Sequence, residues 1–308
     1  MTPTQESQVS PPAGAAVAVT GATGFIGRHL CDHLRRAGWE VRAMARDASS
    51  CPFTEKGIRA FKCNLPDEVD PAALEGARAV VHCAYMMRFT DLASAHGVND
   101  LGTRKILEMS RAAGAERLVF LSSQSAHEEA ESYYGKSKLE LEKLLDPRRD
   151  LIIRSGLVLG KAGSGLFHRM ADMVAKSRVI PLFGGGHQPL QTVHVEDLCS
   201  AISSALSRGL TGLYTVAAPH PVEMGEFLRM VASRLGKKPI FVPFPMAPAL
   251  LFLRGVERLR IPFPVSSENL LGLKCLRSSD TSADLDALGV KLRSTEEALD
   301  EILGKPRW

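Results

Sequence analysis

Tyr134 and Lys138 stand four residues apart in the run Ser132-Tyr-Tyr-Gly-Lys-Ser-Lys138, a spacing that puts both side chains on one face of a helix. A free phenol holds its proton until about pH 10, so tyrosine serves as an acid or base near neutrality only where its anion is favoured. A neighbouring ammonium favours it. Tyr133 lacks such a partner, because the residue four further on is Ser137, and Lys136 lies two residues from Tyr134 on another face. Three hydroxyls precede the pair, at Ser122, Ser123 and Ser125. Each could orient a substrate oxygen and stabilise developing charge, or bond the backbone of its own loop.

A second constellation lies near the start of the chain, where Thr20-Gly-Ala-Thr-Gly-Phe-Ile-Gly27 follows an apolar run and precedes an amphipathic one. A glycine is required where the backbone bends, another where a pyrophosphate approaches the main chain, and a third where helix crosses strand. The amides freed by the turn and the positive end of the helix then hold phosphates. The placement, more than the three glycines, points to a dinucleotide. The end of the second strand selects which one. An acid there would bond the ribose hydroxyls of NAD, whereas this chain has Ala45, Arg46 and then Asp47. A guanidinium pairs a 2′-phosphate, so NADP is favoured and NAD remains possible through Asp47.

The elements that must carry these residues alternate. Apolar strands are expected at 15–20, 41–45, 59–63, 79–84, 117–121 and 151–154. Helices are expected from Ile26 to a stop at Gly38, over 101–113 before Gly114, and over 134–145. The first strand has no polar alternation, as befits a parallel strand buried on both faces. The rhythm predicts an α/β protein with a doubly wound parallel sheet of the Rossmann type. Residues 15–165 form the dinucleotide-binding domain, with a returning segment near 190–216. Residues 166–308 are mainly a smaller C-terminal, substrate-binding lobe over the carboxyl edge of the sheet. Beyond Gly156 the pattern loosens, and helices are readable at 223–235 and after Ser294, where Ser294 and Glu297 have capping-box spacing. Residues 1–14 read as a disordered leader.

Composition narrows the partners. A formal charge of +4, spread along the 308 residues, disfavours nucleic acid. Six cysteines without a CxxC pair indicate a reduced, cytoplasmic compartment and no metal centre. The longest apolar stretch, 246–253, contains Pro248 and is shorter than the roughly 20 residues needed for a membrane span. A small-molecule substrate is the expected partner, and a homodimer is compatible with the chain.

The Gly-x-x-Gly-x-x-Gly spacing, Val80-Val-His-Cys-Ala84, Val98-Asn-Asp-Leu-Gly-Thr103, Phe120-Leu-Ser-Ser123, Tyr134-Gly-Lys-Ser-Lys138 and Val193-His-Val-Glu-Asp-Leu198 follow one another in family order. The chain resembles an extended or atypical short-chain dehydrogenase/reductase of the NAD-dependent epimerase/dehydratase family, from Val17 to about Leu299. The resemblance implies that Ser123, Tyr134 and Lys138 are catalytic, with the tyrosine moving a proton at the substrate oxygen and the lysine also binding the nicotinamide ribose. It implies cofactor contacts from Gly21, Thr23, Gly24, Phe25, Ile26 and Gly27 in the turn. Others come from Arg46, from Asn64 and Leu65, from Cys83, Ala84 and Tyr85, and from Leu157 and Val158 facing the nicotinamide. Asn64 stands where an aspartate is common. Asn99 is expected to tether helix to strand, and His82, His194 and Asp197 to be structural.

The departures from the family pattern narrow the reaction. Gln124-Ser-Ala-His127 replaces the acid pair of dehydratases, and Pro189-Leu-Gln-Thr192 carries no cation for a sugar diphosphate. Ten residues separate Ser123 from Tyr134, a short connection for a sugar nucleotide. Phe241, Phe244, Met246, Leu251, Phe252 and Phe263 either line an apolar substrate site or form the core of the smaller lobe. The leading expectation is an NADP-dependent oxidoreductase acting on a carbonyl or secondary alcohol of an apolar small molecule. The alternatives are a nucleotide-sugar epimerase with tightly held NAD, and a non-catalytic cofactor-binding subunit resembling the accessory subunit of respiratory complex I.

Overall fold

The computed structural model describes residues 12, 14–49, 51–87, 89, 91–161, 163, 165–259 and 265–307. Apart from residues 12 and 14, the expected leader lies outside them, as does Phe263. In chain order the elements are β1 (Ala16–Thr20), α1 (Phe25–Arg36), β2 (Glu40–Ala45), β3 (Arg59–Asn64), β4 (Glu68–Val69), β5 (Ala77–His82), α2 (Leu92–His96), α3 (Gly102–Ala112), β6 (Arg117–Ser123), α4 (Tyr133–Glu142), β7 (Leu151–Ser155) and β8 (Leu157–Leu159). There follow α5 (Leu166–Lys176), β9 (Val179–Phe183), β10 (Pro189–Leu190), β11 (Thr192–His194), α6 (Val195–Arg208), β12 (Gly212–Val216), β13 (Val222–Glu223), α7 (Met224–Leu235), β14 (Ile240–Phe244), α8 (Met246–Arg258), α9 (Ser267–Lys274), α10 (Ser282–Leu288) and α11 (Thr295–Leu303).

One sheet of eight strands runs β12-β7-β6-β5-β1-β2-β3-β4, parallel throughout except for the β3–β4 edge pair. The order reverses beside β1, so a crevice opens at its carboxyl end, where open α/β sheets take their ligands. Alternate residues of each strand feed opposite cores. Val17 and Val19 pack with Leu30 and Leu34 of α1 and Leu198, Ile202 and Ala205 of α6. Ala18 packs on the other side with Val80, Phe120, Ile106 of α3 and Leu141 of α4. A separate core joins α5, β9, α7 and α11 through Phe167, Ile180, Leu182, Phe227, Val231 and Leu299.

All six expected strands form, within two residues at their ends, and β12 adds a seventh parallel strand from the returning segment. The helix expected at 101–113 begins earlier: α2 leads through a wider turn, Gly97–Leu101, into α3. Asp91 starts it by accepting from the Ser94 amide at 2.8 Å. α6 is the principal helix missed. His194 caps its start and Gly209, at φ 70°, ends it. Its buried Val195, Leu198, Cys199, Ile202, Ala205 and Leu206 keep helical spacing, but three serines among them lower the propensity that would have drawn notice.

Candidate active site

The turn after β1 is closed at several points. Gly21 has φ 65°, and a Cβ there would lie 2.8 Å from the Ala84 backbone. A Cβ on Gly27 would lie 2.2 Å from the Gly21 carbonyl oxygen. These glycines are therefore required by close backbone approach, one between neighbouring strand ends and one where α1 crosses the turn. The Ala22 amide donates to the Met44 carbonyl at 3.2 Å, so the turn is also tied to β2. α1 begins at Gly24 with no side-chain cap and no acid in its first turn. Its leading amides and positive end suit a phosphate group, so the cradle fits a dinucleotide. Thr23 and Gly24 are exposed on the turn, and Ile26 is half-buried behind it. Phe25 points back into the protein, its ring 5.3 Å from that of His168, and a Cβ on Gly160 or Gly163 would strike it. It joins α1 to the segment after β8.

Below the turn, a buried chain of polar groups sets β1 against β5. Thr20 Oγ1 lies 2.7 Å from His82 Nδ1, and His82 Nε2 lies 2.9 Å from Thr103 Oγ1. The Ala84 amide donates to Thr20 Oγ1 at 3.2 Å. Burial and the Lys138 charge push the His82 pKa down to about 3, so the ring is neutral and structural. Asn99 clasps the Met86 backbone, accepting from its amide at 2.6 Å and donating to its carbonyl at 3.1 Å. His194 caps α6, and Asp197 accepts from the Arg293 amide at 2.9 Å. Asn99, His194 and Asp197 thus hold backbone in place, and His82 links two threonine hydroxyls.

Arg46 lies exposed at the end of β2. Asp47 turns aside, its carboxylate accepting from the Ser49 amide at 3.0 Å and the Ser49 hydroxyl at 2.6 Å. Asn64 is half-buried at the end of β3, whereas the Leu65 side chain is in the core against Gly102, leaving only its backbone for a ligand. Cys83, Ala84 and Tyr85 follow β5 and are half-buried, as are Leu157 and Val158 at the start of β8. β8 is held parallel to β11, with the Leu157 amide donating to the Gln191 carbonyl at 2.9 Å.

The three serines differ in their partners. Ser122 is buried and hydrogen-bonded to Glu142, which also receives Arg154 Nε at 2.9 Å. Ser125 donates its amide to Ser123 Oγ at 3.2 Å. Ser123 lies close enough to the Tyr134 phenol to pull its pKa downward, which neither of the other two serines does. Ser132 caps α4 by accepting from the Gly135 amide at 3.2 Å. Ser125 and Ala130 press on Gly135 so closely that a Cβ there would lie 2.3 Å from the Ser125 carbonyl oxygen. The ten-residue connection is thereby packed onto α4.

Lys138 departs from the simplest expectation. Its ammonium is buried, donates to the Leu121 carbonyl at 2.7 Å, and lies 4.2 Å from the ring centre of Tyr85 and 4.5 Å from that of Phe120. Burial brings its pKa down to about 7, against the opposing pull of Cys83, Glu142 and Asp100. Tyr134 is not acidified: burial raises its pKa, and Ser123 only opposes that rise. The physical reason is desolvation, which disfavours phenolate and ammonium alike in a dry site. The rings of Tyr85 and Tyr134 meet edge to face, 5.3 Å apart.

Two carboxylates escaped the sequence reading. Asp100 accepts from Tyr133 Oη at 2.6 Å and Ser137 Oγ at 3.0 Å. Glu142 lies one turn beyond Lys138 at the same four-residue spacing, which could have flagged it. Gln191, inside the cation-free Pro189–Thr192 stretch, is buried; its amide nitrogen donates to the Ala218 carbonyl at 2.8 Å and its oxygen receives Gln124 at 2.7 Å.

A glycine cradle and a serine–tyrosine–lysine group, both at the carboxyl edge of a parallel sheet, define a dinucleotide-binding α/β protein. The model of the NAD-dependent epimerase/dehydratase family matches residues 17–217, and the chain belongs to that family, among nicotinamide-dependent proteins of the reductase and epimerase type. Ceramide reductase of Caulobacter vibrioides is 31% identical over 244 residues, 76% of this chain and 74% of that protein. The mitochondrial NADH dehydrogenase (ubiquinone) 1 alpha subcomplex subunit 9 of Arabidopsis thaliana is 24% identical over 95% of this chain and 76% of its own length. Human epimerase family protein SDR39U1, solved with NADPH, shares the fold with a TM-score of 0.70 at 19% identity, covering 94% of this chain and 99% of that one.

Proposed function

We propose that the chain is an NADPH-dependent reductase of a carbonyl on a largely apolar small molecule, running in reverse on the corresponding secondary alcohol. The observation that carries this reading is the gathering, at the carboxyl edge of the sheet, of Ser123 at the end of β6 with Tyr134 and Lys138 on α4, Tyr134 meeting Tyr85 edge to face. The residues of the turn, from Gly21 to Gly27, would hold the pyrophosphate, and Asn64, Leu65, Cys83, Ala84, Tyr85, Leu157 and Val158 would line the rest of the cofactor's path. When bound, the cofactor would supply the hydride.

Ser123 Oγ and Tyr134 Oη converge on the substrate oxygen. Tyr134 gives that oxygen its proton as the carbonyl is reduced, and Ser123 bonds the developing alkoxide. Lys138, whose pKa burial lowers to about 7, would bind the nicotinamide ribose. The rings of Tyr85 and Phe120 exclude water beneath it. Arg46 would meet a 2′-phosphate, and Asp47, engaged with Ser49, leaves that position without a competing acid. A charge-assisted hydrogen bond contributes about 1.5–3 kcal/mol, so NADPH should bind roughly tenfold or more tightly than NADH. Titration of both cofactors, followed by NADPH oxidation with long-chain aldehydes and ketones, tests the reading. Tighter NADH binding overturns the cofactor choice, and silence across the carbonyls with a competent cofactor site overturns the reaction.

The match to the Arabidopsis subunit over 95% of the chain favours a second reading, a cofactor-binding subunit without turnover. The intact Ser123–Tyr134–Lys138 group supports the enzyme instead, since a structural role has no use for it.

A further inference from the structure

Several of the apolar residues between 239 and 264 lie outside any core. On α8, Leu251 is 75% exposed, Phe252 56%, and Leu259, just past its end, 71%. Ala247, Leu251, Gly255 and Leu259 recur every four residues and form one exposed stripe, while Ala249 and Leu253 face inward against Leu270 of α9. The β9–β14 ribbon continues the apolar surface. Ile180 and Leu182 turn into the core, and Val179, Ile240, Val242 and Phe244 turn out. Ribbon and helix meet where Phe183 stacks edge-on to Phe244 and packs with Met246 and Leu250.

The charge along this stretch is mainly positive. Between residues 236 and 259 the basic residues are Lys237, Lys238, Arg254 and Arg258, all exposed, and the sole acid is Glu257. Glu257 is occupied by the start of α9, accepting from the Ser267 amide and hydroxyl, each at 2.7 Å. An exposed apolar stripe flanked by cations is the chemistry of a helix lying in the plane of an anionic lipid surface. No helix among the described residues is long and apolar enough to cross a membrane, and α8, with 13 residues, would lie along the surface.

We propose that α8 and the outer face of β14 dock the protein on an anionic bilayer. The neighbouring element reaches the candidate active site: α9, against which α8 packs, accepts the Tyr133 amide on Glu268 at 2.6 Å, at the first residue of the helix carrying Tyr134 and Lys138. An apolar substrate dissolved in the bilayer would then be drawn from the docked face. That delivery step rests on the reductase reading; docking does not.

Flotation of the full chain with vesicles tests it. Vesicles of equal parts phosphatidylglycerol and phosphatidylcholine should carry the protein up, and pure phosphatidylcholine should carry about tenfold less. Leu251→Asp with Leu259→Asp should lower binding to the anionic vesicles at least about tenfold, with melting temperature and NADPH affinity unchanged. Arg254→Gln with Arg258→Gln should weaken it and flatten its salt dependence. Failure to float on anionic vesicles, equal flotation of the Asp variant, or a concentration-dependent dimer abolished by that variant would each overturn docking. The readout needs no turnover, so a chain that floats but oxidises no NADPH retracts the reductase reading alone.

Discussion

Lys138 illustrates how burying one charged side chain costs stability. Its ordinary pKa lies near 10.5, and burial brings it to about 7. A lysine whose folded value lies below its unfolded value costs folding free energy in full below about pH 7, and the cost fades as the pH rises towards the unfolded value. Replacing it with methionine removes that cost, at the expense of an unbonded Leu121 carbonyl. Lys138→Met should therefore raise the cofactor-free protein's stability by about 2 kcal/mol at pH 6. The gain should shrink by pH 9, and carbonyl reduction should be lost at both. Urea unfolding at the two pH values checks this; a variant less stable at pH 6 than the parent would contradict the buried-ammonium account. That Tyr134 and Lys138 share one helix was legible from their spacing, and their candidacy from the place of that helix after the fifth expected strand. Their electrostatic state was not, because it depends on Tyr85 and Phe120, which the fold brings from other strands.

At the scale of elements, β1, the glycine turn and α1 act as one unit. The strand is buried on both faces, the helix packs against α6, and the turn has no room for a side chain where the two cross. Gly27→Val should lose NADPH affinity by at least about tenfold and destabilise the protein by about 1–3 kcal/mol through overpacking. Calorimetric titration with NADPH and a melting curve report the two effects. An unchanged affinity would remove the turn from the cofactor site. The alternating strands and the helices between them were readable because apolar periodicity is local. α5, α8, α9 and α10 were not, since the cores they complete have their other halves far off in sequence, as Phe183 is for α8 and the β1–α1–α6 core is for Leu285 and Leu288 of α10. Their apolar residues leave open which face is buried, and Leu251, read as lining a site or filling a core, proves to lie on the surface.

For the molecule as a whole, the sheet brings together groups that the chain keeps far apart. Gly21 and Gly27 arrive with β1, Tyr85 with β5, Ser123 with β6, Tyr134 and Lys138 with α4, and Leu157 with β8. Gln191 ties the returning segment to Gln124 and to the backbone of Ser279, fastening the C-terminal elements over the same edge. Such an arrangement can bind a dinucleotide without reacting, or bind it and reduce a carbonyl, and only the second needs the phenol. The direct measurement is a single-turnover assay in which NADPH binding and NADPH oxidation by a long-chain ketone are followed in the same samples, for the parent chain and for Tyr134→Phe. The account predicts equal NADPH affinity and oxidation about 100-fold or more slower in the variant. Equal oxidation rates in the two proteins, or no NADPH binding by the parent, would contradict it.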